Sequence, residues 1–141
     1  MPTMPNDIFS RWYWLDMERG EPVAFTSLGE YLNISSECQS TMHFHVGLTE
    51  LNGWKLGPWV IARPVKVSTV FLGLDHGFWF QTVKPYRPVL FESMIFGGPF
   101  NDEQERYCTI EEAQDGHQRM VRLARLGRWF GRRLTEWWIN K

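Results

Sequence analysis

What most constrains this chain is a succession of two strand-forming runs and one capped helix. The runs are Val65–Leu74 (VKVSTVFLGL) and Val89–Phe96, and the helix begins after Thr109. β-Branched and aromatic residues fit a pleated surface. The period of two puts Val65, Val67, Thr69 and Phe71 on one face of the first run, and Lys66, Ser68, Val70 and Leu72 on the other. The two runs are expected to pair antiparallel. Thr109, with Glu112 three residues on, reads as a capping box, and Glu111, Glu112 and Asp115 suit the positive end of a helix. Ala113, Met120, Val121 and Ala124 recur at helical spacing and mark an inward stripe. Gly116 weakens a helix by up to about 1 kcal/mol against Ala, so its presence points to close packing. The first helix is expected over Thr109–Leu126. After the loosening Gly127 and Gly131, a last helix is expected over Trp129–Ile139, with Phe130, Leu134, Trp137 and Trp138 on a broad apolar face. The predicted fold class is α+β: a mostly antiparallel sheet with one helix packed on a face and a C-terminal helix.

The rest of the chain is read as follows. Residues 1–7 form a loose arm, Phe9–Met17 is an aromatic strand or short helix, and Glu18–Pro22 is a turn. Val23–Ser27 reads as a strand and Gly29–Ser40 as a polar loop. In Met42–Gly47, alternation sets His43 and His45 on one strand face. Asn52-Gly53 is a turn and Trp59–Ala62 a short apolar run. A length of 141 residues is the size of one domain, taken as 1–141.

Aromatic residues make up 16% of the chain, including eight Trp, more than an interior of this size readily holds. Some rings are therefore expected at the surface, where clusters mark interfaces or stacking sites. The net charge of −1 conceals an asymmetry. From His117 to Lys141 seven bases stand against one acid, whereas the first 116 residues hold eight bases and fifteen acids. A basic segment of this kind faces phosphates, nucleic acid, the acidic part of its own domain or a second copy. The basic, Trp-rich segment 127–141 is accordingly the expected interface, and a homo-oligomer the expected state. Two cysteines, Cys38 and Cys108, make no disulfide framework. With no apolar run of membrane-spanning length and no signal-peptide pattern, the expected location is the cytoplasm and no membrane partner is expected.

Several polar residues stand where a core segment would not need them. Asp75-His76 closes the first strand run, where an Asp can orient an imidazole or simply cap a turn. Glu92 lies inside an apolar strand and needs a partner, for which Arg106 and His117 are the candidates. His117 falls on or beside the inward helix face, bonded either to a strand carbonyl or into a polar pocket. His43 and His45, with His76, would serve a metal only with a further shell, so neither metal nor cofactor is assigned. No phosphate-binding loop, dinucleotide fingerprint, zinc-finger spacing or nucleophile elbow is present, and no catalytic residue is assigned.

Three blocks carry a resemblance: VSTVFLGLDH at Val67–His76, LFESMIFGG at Leu90–Gly98 and RYCTIEEAQDGH at Arg106–His117. They resemble a family of small proteins of tailed bacteriophages and prophages, with the pattern VSTVFLGLDH, LFETM-x-FGG and RY-x-T-x-x-EA-x-x-GH. The chain departs from that pattern at Ser93, in the aromatic insert Gly77–Pro88, and in its long C-terminal segment. In size, context and architecture it is also similar to phage anti-defence proteins that trap cyclic nucleotide signals, the Thoeris inhibitors. The resemblance implies an accessory binding protein that sequesters a small anionic, nucleotide-like ligand or a host defence component. Asp75, His76, Glu92 and His117 would form a polar floor, Arg106 would meet negative charge, and Phe91 or Tyr107 would stack. The alternatives are a minor virion or assembly protein acting through its aromatic surface, and a metal-dependent enzyme built on His43, His45 and His76.

Overall fold

The computed structural model describes residues 12–16, 18–27, 29–30, 32–33, 45–77 and 87–140. The expected His43, the cysteine at 38 and the rings of the insert between 78 and 86 lie outside them, as do the arm and most of the polar loop. Strands β1 (Tyr13–Asp16) and β2 (Glu21–Ala24) form a hairpin. Among the described residues the turn covers Glu18–Gly20, and Pro22 belongs to β2, paired with Leu15. β3 (His45–Leu51) leads into a second hairpin of β4 (Trp54–Leu56) and β5 (Trp59–Ala62). β6 (Val65–Phe71), β7 (Phe91–Phe96) and β8 (Gln104–Tyr107) follow. The main sheet has the order β3-β6-β7-β8 with every pair antiparallel. The fold is α+β, as the succession of runs and helix predicts.

The long helix α1 spans Ile110–Ile139 and crosses all four strands. Its capping box is formed: the Thr109 hydroxyl accepts from the Glu112 backbone, and the Glu112 carboxylate accepts from the Cys108 and Thr109 N–H groups. Those bonds and Arg87 hold the Glu112 carboxyl below its usual pKa, the Cys108 N–H contributing most. Within that span two helices meet at a kink, as the sequence predicts. Gly127 stays helical, and the break falls at Gly131 (φ 70°, ψ 171°), a conformation essentially restricted to glycine. The first helix ends there, and the last turns form a second, re-aimed helix.

Alternation on β6 and β7 builds the core. Val65, Val67 and Ile95 pack with Phe100, Met120, Val121 and Ala124 under the middle of α1. Phe71, Leu90 and Phe91 pack with Leu15, Tyr107 and Ala113 under its start. The Phe71 and Phe91 rings lie 5.3 Å apart and tilted, a favourable aromatic arrangement. The β1–β2 hairpin closes that end through Leu15 and the Trp12–Leu74 bridge.

Candidate functional site

The polar residues of the central blocks are sorted by strand parity onto two faces of the sheet. On the face under α1 one row crosses all four strands: Gly47, Thr69, Ser93 and Glu105 are successive cross-strand partners. His117 of α1 comes down on this row and is 5% exposed. It needs the missing side chain at Gly47, where a Cβ would lie 2.9 Å from the imidazole. Its Nδ1 is 2.8 Å from the Thr69 hydroxyl and its Nε2 2.9 Å from the Thr49 hydroxyl. The Thr69 and Ser93 hydroxyls are 2.6 Å apart. Ser93 also bonds the Tyr107 phenol, and Tyr107 donates to the Glu105 carboxylate at 3.1 Å.

The direction of this chain follows from its end. An ionised carboxylate only accepts, so Tyr107 donates to Glu105. Ser93 then donates to Tyr107, Thr69 to Ser93, and the His117 Nδ1–H to Thr69, leaving Nε2 to accept from Thr49. The chain fixes the proton on Nδ1, so a neutral His117 is of one tautomer. Burial pushes its pKa below the usual value, in keeping with that state. Burial likewise pushes the Tyr107 phenol up to about 12, against the donor effect of Ser93. At the outer end Arg119 bonds Glu105 at 2.6 Å and lies over the Tyr107 ring. Gly116 explains itself here too, since a Cβ would fall 2.1 Å from the Tyr107 phenol.

On the opposite face a second row runs His45, Val70, Glu92 and Arg106. Arg106 Nε bonds the Glu92 carboxylate at 2.9 Å, which settles the partner of Glu92. Asp75 lies at the end of the sheet and is buried. Its Oδ1 accepts from the Gly77 and Val89 N–H groups at 2.8 and 2.9 Å, the turn-capping arrangement. The His76 backbone N–H bonds the Val89 carbonyl at 3.0 Å, and the residue is half-buried.

The expected floor of Asp75, His76, Glu92 and His117 is therefore not one floor. Phe91, Tyr107 and His117 lie under α1, Glu92 and Arg106 on the far face, and Asp75 and His76 at the sheet end. Parity separates them: Glu92 stands between Phe91 and Ser93, which both turn toward the helix and are fully buried. His117 bonds two threonine hydroxyls rather than a strand carbonyl. Phe91 and Tyr107 are core rings at 0% and 5% exposure, with no open face on which a ligand can stack. Sequence reasoning missed Thr49, Thr69, Ser93 and Glu105. The available signal was a hydroxyl at the same parity in both central strands, opposite an inward-facing histidine.

Among the described residues no three His, Cys, Asp or Glu side chains come together to hold a metal ion. The surface instead offers apolar rings. Trp54, Leu56, Trp59 and Ile61 on the β4–β5 hairpin are 50–73% exposed. Trp129, Phe130, Leu134, Trp137 and Ile139 of α1 are also exposed. Leu126, Phe130, Leu134, Thr135 and Trp137 line an apolar groove of about 260 Å³. No described helix is long and apolar enough to cross a membrane. No family model, curated protein or solved structure matches the chain.

Proposed function

We propose that the chain is a phage or prophage accessory protein that acts by binding another protein, a host defence component or an assembly partner, through its exposed aromatic surfaces. The observation that carries this reading is the β4–β5 hairpin. Four large apolar side chains sit on seven strand residues, each at least half exposed. Hairpin residues of this kind stabilise little within their own chain, whereas Trp anchors dominate protein interfaces. The polar residues that would have served a small anionic ligand support the reading from the other side. Glu92 and Arg106 neutralise each other, Asp75 is engaged by backbone donors, and His117 has both ring nitrogens bonded.

Native mass spectrometry of the chain expressed in its bacterial host tests it. The expected result is a protein bound in fixed stoichiometry, lost in a Trp54→Ser/Trp59→Ser variant that keeps its helical circular dichroism. A nucleotide released in stoichiometric amount, with no protein bound, would return the function to small-ligand sequestration.

A further inference from the structure

The outward face of α1 carries a second pattern. Glu111, Asp115, Gln118, Arg122, Arg125 and Trp129 are all exposed and are spaced alternately four and three residues apart. That spacing places them in one straight stripe along a helix. The basic residues of α1 divide accordingly. Arg119 and Arg132 turn down to Glu105 of β8 and Glu103 just before it. Arg122 and Arg125 make no ion pair among the described residues, and neither do Glu111 and Asp115. The stripe is acidic in its first half and basic in its second. Its charges are complementary when it is reversed about the level of residue 120, because Asp115 then faces Arg125, while Gln118 faces Arg122 as a neutral acceptor and Glu111 stands opposite Trp129 without a charge pair.

We propose that a second copy of the chain covers this face, the two α1 helices running antiparallel about a two-fold axis near Met120. A self-complementary patch is what a two-fold interface requires. Parallel pairing would set acid on acid and base on base. The apolar component begins at the end of the stripe with Trp129 and Phe130 and continues past the Gly131 kink. Trp129, Phe130, Leu134, Trp137 and Ile139 are between 54% and 65% exposed. The three rings among them, of about 150–250 Å² each, leave on the order of 350 Å² of apolar surface in water, under half of the roughly 800 Å² each partner buries in a stable complex. The antiparallel arrangement sets Trp129 and Phe130 of each copy at the helix start of the other, level with Glu111 and Ile110. The occupant is thus a copy of this chain, an assignment beyond the reading above and separable from it.

Sedimentation equilibrium of the full chain tests it, with a paired charge swap. The wild-type protein is expected to be a dimer. Arg125→Glu and Asp115→Arg each turn two attractive pairs into repulsive ones, and each should weaken the dimer by about tenfold or more. The double variant Asp115→Arg/Arg125→Glu restores both pairs and should return dissociation to within about threefold of wild type. All four positions in the dimer are on the surface, so unchanged circular dichroism shows that each variant is folded. A wild-type monomer at all concentrations would overturn the pairing, as would a dimer indifferent to the single swaps or not rescued by the double one. Either result leaves the binding of a host protein at the hairpin to be judged by its own experiment.

Discussion

Gly116 and His117 are neighbours in sequence with opposite demands on space, and both are set by the same buried row. Gly116 must leave room for the Tyr107 phenol, which a Cβ would approach to 2.1 Å. Gly116→Ala should therefore destabilise by about 2–3 kcal/mol, the upper part of the overpacking range, despite the better helix propensity of alanine. Thermal unfolding measures this directly. His117 makes a pH prediction. Its folded pKa lies below the ordinary value of 6.5, so the unfolded chain takes up the proton first. Above pH 6.5 both states are neutral and nothing is lost. As pH falls below 6.5 stability declines, and it continues to do so until the folded state also protonates. Urea midpoints should drop between pH 7 and pH 5 in the wild type and stay flatter in His117→Gln. The capped Glu112 acts in the same direction, but only below its usual range near pH 4.5. Little of the buried row is legible in the sequence. Thr69 and Ser93 are read as strand residues, and nothing local says that hydroxyls 24 residues apart meet each other, or that Thr69 meets a histidine 48 residues away.

The elements were more legible, because their signals are local. β6 and β7 follow from β-branched alternation, and the start of α1 from Thr109 and Glu112. Parity also contained the information that divides the expected site. Phe91, Ser93 and Ile95 face the helix, so Glu92 cannot, and His117 belongs with the odd-numbered positions of β7. The position of the break in α1 was not legible, since Gly127 and Gly131 look alike in sequence. Only Gly131 takes a positive φ. Gly127 instead approaches the Phe100 ring, where a Cβ would lie at 2.5 Å. Gly131→Ala meets no neighbour within 4 Å, but its backbone conformation is strained for alanine by about 1–3 kcal/mol. The expected response is a straightened helix, with loss of the Arg132 contacts to Glu103 and the Phe100 ring. It should appear as an increase in ellipticity at 222 nm with a modest fall in unfolding temperature.

On the scale of the whole molecule, the stabilising contacts and the exposed rings occupy different places. The core is gathered between the sheet and the first two-thirds of α1, whereas the hairpin and the last turns of the helix carry the apolar surface. Trp54→Ser/Trp59→Ser should accordingly move stability by less than about 0.5 kcal/mol, in line with exposed positions elsewhere, while removing partner binding. Denaturation and native mass spectrometry on one sample check both halves. The charge asymmetry of the sequence has a partial explanation on the same scale, because Arg119 and Arg132 are answered by carboxylates of the same chain: Glu105 of β8, Glu103 just before it, and Glu136.

The row beneath His117 has a further effect on how the strands find one another. Apolar alternation tells a strand which side faces inward, but a slip of two residues preserves that alternation. A row running from Gly47 through Thr69 and Ser93 to Glu105 does not survive such a slip. Sliding β3 by two would bring a side chain under the imidazole in place of Gly47, and sliding β7 would leave the Thr69 hydroxyl opposite an apolar neighbour of Ser93. Hydrophobicity thus chooses the face, and one histidine with three hydroxyls chooses among the registers that hydrophobicity cannot tell apart.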